Sequence, residues 1–173
     1  MSLPLQTSRL LIREWNILDG AKYLPLSQDD GFNSHSVIDY KLLSQDAAEQ
    51  KVIEWAIVFG QTKMGVLPIV LKENKEIIGI CAIRPIMLGA KKELHFEVMC
   101  RLAQVHWGKG YASEVIQSLF QYGFKDLGLQ QLIGHIQTDR PPLRKLAEKV
   151  GMSFLKSSIY QKEPIEIYYV NPQ

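Results

Sequence analysis

Three stretches of the chain return apolar residues every three to four positions, the period of an amphipathic helix. The first opens at Ser44, holds Ala47, Ala48, Val52, Trp55, Ala56 and Phe59 on one face, and meets Gly60 as a candidate stop. The second runs from Ala112 to Leu127, with Val115, Ile116, Leu119, Phe120, Gly123, Phe124 and Leu127 inward and Gly128 placed to cap it. The third is opened by Asp139 and the pair Pro141-Pro142, turns Leu143, Leu146, Ala147 and Val150 inward, and ends at Gly151.

Shorter apolar runs between turn residues predict strands at Leu10–Glu14, Leu67–Lys72, Ile77–Arg84, Glu93–Leu102, Gln131–Gln137, Ser153–Tyr160 and Ile165–Val170. The polar tetrapeptide Glu73-Asn74-Lys75-Glu76 reads as a hairpin connection. From Asn16 to Ser44 the chain is polar and turn-rich, with room for one or two short helices. Neither an internal repeat nor a linker interrupts this order, which predicts one α+β domain over residues 1–173, built on a central mixed, mostly antiparallel sheet flanked by helices.

Composition narrows the function classes. A chain of 173 residues, 46% hydrophobic and 22% charged, has the makings of a single folded unit with a real core rather than a disordered segment. A net charge of +2 suits an anionic cofactor but falls far short of a nucleic-acid-binding signature. The N-terminus lacks the basic-then-apolar pattern of a signal, and no apolar run is long enough to cross a bilayer, so a cytoplasmic protein without membrane association is expected. Cys81 and Cys100 lie in strand-like stretches and read as reduced, buried thiols. His35, His95, His106 and His135 show no metal-ligand spacing, so no metal is expected.

The candidate chemistry sits in Trp107-Gly108-Lys109-Gly110-Tyr111-Ala112-Ser113-Glu114, where two glycines lead straight into the second helix. Glycine lets a backbone turn closely around a ligand, and a helix N-terminus presents free N–H groups with partial positive charge. The build is that of a diphosphate cradle. A Walker-type loop would need glycine and a hydroxyl residue where Ala103 and Gly110 stand, and a dinucleotide fingerprint would need glycine at Ser113.

The stretch resembles the acyl-CoA loop of the GNAT acetyltransferase superfamily, R/Q-x-x-G-x-G/A, with Trp107 where Arg or Gln is usual. The tryptophan variant, Trp-Gly-Lys-Gly-Tyr-Ala with a nearby Glu, is similar to the subgroup containing the ribosomal-protein N-terminal acetyltransferases. Thr7 to Arg13, Gly79 to Pro85, Glu97-Val98, Phe124 to Leu129 and Glu148 to Met152 extend the resemblance over nearly the whole chain.

That resemblance implies a V-shaped cleft between the strands at Glu93–Leu102 and Gln131–Gln137, entered by the pantetheine arm of acetyl-CoA. Backbone groups of Cys100, Arg101 and Leu102 would pair with pantetheine, the Leu102 N–H would face the thioester carbonyl, and Gly108 to Ser113 would hold the diphosphate. Trp107 would pack beneath the loop or touch ligand. Lys109 would face either diphosphate or solvent, and Tyr111 would serve as scaffold. Arg140 would hold a CoA phosphate or stand exposed at its helix start.

The implied reaction is direct attack of an amine on the thioester in a ternary complex. It needs an unprotonated nitrogen, and a lysine-like amine, with pKa of about 10.4, needs more help than an α-amine of about 8. Glu97 is the candidate base, with Glu93 and Glu114 behind it. The usual acids of relatives are replaced by Arg140, Leu143 and Ala147. The segment Asn16–Ser44, the helix after it and the C-terminal hairpin would form the acceptor site, where Asp29, Asp30, Asp39 and Glu163 would attract a cationic amine. A protein N-terminus and a small-molecule amine both fit as acceptor, and a monomer or a homodimer as assembly. A CoA-binding sensor and a transferase of a longer acyl group are the alternatives.

Overall fold

The computed structural model describes residues 3–34, 44–89 and 92–172. Among the described residues eight strands form one sheet: β1 (Leu5–Gln6), β2 (Leu10–Ile12), β3 (Gly65–Leu71), β4 (Ile77–Leu88), β5 (Glu93–Leu102), β6 (Leu132–Gln137), β7 (Ser153–Tyr160) and β8 (Glu163–Val170). Their spatial order is β1-β2-β3-β4-β5-β6-β8-β7. Every neighbouring pair is antiparallel except β5 and β6, which run parallel. A parallel pair needs a crossover, and here it is helix α4 (Tyr111–Gln121).

The sequence of β4 shows why it is central. Its first seven residues, Ile77 to Ile83, are all buried, because helices cover both faces of the sheet. On one face Ile78, Cys81 and Ile83 join Val115, Leu119 and Phe120 of α4 and Ala147 of α5 (Pro141–Lys149). On the other, Ile77, Ile80 and Ala82 meet a cluster from α1 (Gly20–Ser27), α2 (Asp30–Asn33) and α3 (Gln45–Thr62). Trp15, Tyr23 and Trp55 pack ring on ring there, and the Trp15 indole donates to the Val66 carbonyl at 2.8 Å.

Several strand ends shift by one or two residues from the periodicity, and three boundaries differ for a reason the packing shows. Helix α3 passes through Gly60 and stops two residues later, where Lys63 adopts φ 57 and its N–H bonds the Phe59 carbonyl. The reason is tertiary: Phe59 is core, and the Tyr122 hydroxyl donates to the Lys63 carbonyl at 2.8 Å, fixing the exit. Helix α4 widens into a π turn over Tyr122–Asp126 before the predicted cap at Gly128, which has φ 67. At Gly123 in that turn a Cβ would stand 2.9 Å from the end of the Leu132 side chain, so a larger residue would have to displace it. Strand β4 runs on to Leu88 because β5 pairs with it along its whole length.

Candidate active site

Strands β5 and β6 are joined at a single register pair, Glu97↔Ile133. Beyond that point they separate, leaving the V-shaped opening and a cavity of about 670 Å³. One wall is β5 from Val98 to Leu102, the other β6 from Gly134 to Gln137, and the floor and mouth come from α4 and α5. Of the residues singled out from sequence for cofactor binding, Cys100, Arg101, Leu102, Trp107, Gly108, Gly110, Tyr111, Ala112, Ser113 and Arg140 all line this space. Lys109 is exposed and does not.

The mouth is shaped by two glycines with positive φ, Gly108 at 72° and Gly110 at 83°. Gly110 is the N-cap of α4, and no side chain caps the helix there. The first-turn N–H groups of Tyr111, Ala112 and Ser113 therefore lack the side-chain acceptor that a Ser or Asp cap would supply, at the point where the cavity opens. This is an arrangement suited to an anion. Trp107 lies at the side of the mouth, with its indole donating to the Leu102 carbonyl at 2.8 Å, so it both ties the loop to β5 and lines the cavity.

At the narrow end a charged row crosses three strands. Arg84 on β4 is the register partner of Glu97 on β5, and its Nε donates to Glu97 Oε2 at 2.7 Å. On the other side His135 Nδ1 of β6 stands 2.6 Å from Glu97 Oε1, off the axis of a straight hydrogen bond. Glu97 is 3% exposed. Burial alone would raise its carboxyl pKa, but the contacts with His135 and Arg84 outweigh it and hold the group below the ordinary carboxylate range. Tyr160 of β7 closes the row, its ring centroid 4.9 Å from that of His135.

Cys81 and Cys100 are free thiols, and burial pushes the Cys100 thiol up to about 12. Ala147 and Leu143 line the cavity and offer no proton. Arg140 donates to the Ser34 carbonyl at 3.0 Å, linking α5 to the segment after α2 across the cleft. Glu114 belongs to a different contact, accepting from Thr7 and Arg9 outside the cavity.

Asp29 caps α2 by accepting from the Phe32 N–H at 2.6 Å, and neither it, Asp30 nor Glu163 lines the cavity. His35 and Asp39 lie outside the described residues. Sequence reading passed over Arg84 and Tyr160 and weighed His135 only as a metal ligand. Strand alternation was the available signal for His135, two residues beyond Ile133 on the same face. Among the described residues no group of three or more His, Cys, Asp or Glu could hold a metal, and no helix is long and apolar enough to cross a membrane.

Comparison with known proteins places this geometry. Residues 9–153 match the model of the acetyltransferase (GNAT) domain. An uncharacterized N-acetyltransferase, p20, of Bacillus licheniformis is 28% identical over 157 residues, covering 90% of this chain and 84% of its own. In structure, a GNAT-family acetyltransferase from Bordetella pertussis superposes with a TM-score of 0.79 at 17% identity, covering 97% of this chain and 99% of that one. RimL, a ribosomal alpha-N-protein acetyltransferase in complex with coenzyme A, superposes with a TM-score of 0.81 at 12% identity, covering 98% of each chain.

Proposed function

The chain belongs to the GNAT acetyltransferase family, which uses acetyl-CoA as donor, and from that premise we propose that it moves the acetyl group to an amine by direct attack within a ternary complex. The observation that carries the reading is the α4 N-terminus without a side-chain cap, bracketed by Gly108 and Gly110, at the mouth of a cavity whose walls are two diverging strands.

Acetyl-CoA lies with its diphosphate on the N–H groups from Gly108 to Ser113 and its pantetheine along Cys100, Arg101 and Leu102 in the manner of an added strand. Gly110 has no side chain to obstruct the phosphates, while Trp107, braced on the Leu102 carbonyl, keeps the loop against β5. The Leu102 N–H polarises the thioester carbonyl. In this reading Arg140, the N-cap residue of α5, turns its guanidinium from the Ser34 carbonyl to a CoA phosphate.

The acceptor amine enters from the side of Arg84, Glu97, His135 and Tyr160, all of which line the same cavity. Glu97 supplies a fixed negative charge beside the acceptor's path, and its low proton affinity keeps that charge in place at neutral pH. A protein N-terminus and a small-molecule amine remain the two acceptor classes.

Turnover against a panel of α-amines, polyamines and amino acids, read as release of free CoA thiol, tests the transfer. Thermal melting tests the donor separately: acetyl-CoA at about 100 times its Kd should add about 2.7 kcal/mol of stability. A melting temperature unmoved by saturating acetyl-CoA overturns the cofactor reading. A shift without turnover on any amine leaves donor binding standing and overturns the transfer.

A further inference from the structure

The cleft begins at Glu97↔Ile133, and the next inward-facing residue of β6 is His135. Three polar side chains from three adjacent strands thus meet on one face: Arg84, Glu97 and His135. The carboxylate between them is enclosed at 3% exposure, with Oε2 engaged by Arg84 and Oε1 in contact with His135. Each oxygen thus already has a neighbour within the row. The imidazole is different, at 14% exposure on the cavity wall.

An ionised carboxylate can only accept, so its partner nitrogen must carry the hydrogen. Glu97 therefore selects the His135 tautomer with hydrogen on Nδ1 and a lone pair on Nε2. Imidazole is also the side chain whose proton exchange lies nearest neutrality. Resting on the acetyl-transfer reading above, we propose that His135 Nε2 takes the proton from the acceptor amine, and that Glu97 is its positioning residue rather than the group that touches substrate.

The step balances as follows. The acceptor's ammonium proton is lost to water on binding, and the neutral nitrogen bonds to the thioester carbon. His135 accepts the remaining surplus N–H proton, becoming imidazolium beside the Glu97 carboxylate. The carbon–sulfur bond breaks with its electron pair on sulfur, and the imidazolium proton passes through cavity water to the thiolate. Neutral His135 is regenerated, and no residue at Ala147 or Leu143 is needed.

Among the described residues, the charges and titratable groups that face His135 are few. Glu97 comes from β5, with Arg84 of β4 behind it, and the Tyr160 phenol comes from β7. On β8 the register partner is Ile167, while neighbouring Glu166 is held by Arg144 at 2.8 Å. The off-axis Nδ1 contact is of the kind that straightens when ligand fills a site.

The test compares His135→Gln and Glu97→Gln in the whole protein, with an amine that the wild type acetylates. His135→Gln should lower kcat by about 100-fold or more, leave acetyl-CoA binding within about twofold, and abolish the acid limb of the kcat/KM profile. The loss should persist for a weakly basic amine that binds already neutral, because the proton His135 takes is released only after the nitrogen bonds to the thioester carbon. Glu97→Gln should lower kcat less and displace the acid limb rather than abolish it. Long-range proton–nitrogen NMR on wild type without substrate should show His135 with hydrogen on Nδ1.

Retained kcat and an unchanged pH profile in His135→Gln would overturn the assignment, as would hydrogen found on Nε2. Glu97→Gln inactive with His135→Gln active would make Glu97 itself the base. If no amine is acetylated at all, the transfer reading fails as well, and the two failures are told apart by whether wild type turns over. Acetyl-CoA binding by both variants serves as the folding control.

Discussion

The guanidinium of Arg9 lies over the Tyr111 ring, 4.4 Å from its centroid, while its Nε donates to Glu114 at 2.6 Å. Thr7 donates to the same carboxylate at 2.7 Å, so the turn between β1 and β2 is bolted to the first turn of α4. A Cβ on Gly110 would stand 3.3 Å from the Arg9 guanidinium. The start of the chain thus sets where the cradle sits.

Arg9→Ala should raise the Kd for CoA several-fold while costing less than about 1 kcal/mol of stability. The small stability term follows from solvent screening, since Arg9 is 45% exposed. Calorimetric titration with CoA beside a urea melt checks both, and unchanged affinity would detach Arg9 from the cradle.

Gly110→Asp should weaken CoA binding by at least about tenfold, because it adds charge and bulk where a diphosphate approaches. The fold should survive at a cost of about 1 kcal/mol, aspartate being among the side chains that tolerate positive φ. Equal affinity in variant and wild type would move the phosphate site elsewhere.

Gly79 is a stability position. A Cβ there would stand 2.1 Å from the Arg101 carbonyl oxygen, and this neighbour is backbone that cannot rotate away. Gly79→Ala should force β4 and β5 apart and destabilise by about 2 kcal/mol or more, read as a lower urea midpoint. A midpoint equal to wild type would show that the pair has room the geometry denies.

Asp19 links acid and stability. Its side chain is 3% exposed and its Oδ2 accepts from Arg13 at 2.6 Å and from the Asn16 N–H at 2.8 Å. Burial opposes its charge, but these partners prevail and lower its pKa. A lowered folded pKa means stability that is complete above the ordinary carboxylate range and is lost as pH falls through that range to the folded value. Asp19→Asn should therefore cost about 1–2 kcal/mol at neutral pH, at the low end because Arg13 reaches solvent, and the gap should close in strong acid. Melts at both pH values check it; a gap that persists in acid would assign the loss to shape rather than charge.

Trp107 offers a direct optical readout. It is 39% exposed beside the cradle, whereas Trp15 and Trp55 are stacked in the core on the other face of the sheet. Coenzyme A should change tryptophan emission in wild type and leave it nearly unchanged in Trp107→Phe. That variant should also lose about 1 kcal/mol with the bond to the Leu102 carbonyl. A full emission change in the variant would place the ligand near another indole.

Several boundaries show where pattern reading stops. Gly60 has nothing within 4 Å of a would-be Cβ and no need of positive φ, so a glycine that reads as a stop is only a surface helical residue. The helix ends instead at Lys63, whose carbonyl is held by Tyr122 from a distant helix. The two-residue strand Leu5–Gln6 is too short to carry a period, and it exists because β2 is there to pair with it. By contrast Gly128 and Gly151, both with positive φ after an amphipathic run, were readable directly.

The α4 and α5 helices, the glycine-flanked helix start, the strand order by segment and the family resemblance were all written in the sequence, because each rests on periodicity, turn residues or hydrogen bonds within a few positions. The row Arg84–Glu97–His135 was not. It exists only once β4 pairs with β5 in the register Arg84↔Glu97 and β6 meets β5 at the one pair Glu97↔Ile133. The β5–β6 register joins strands with α4 between them and is set by how the whole core fits together, and no local window of residues contains that information.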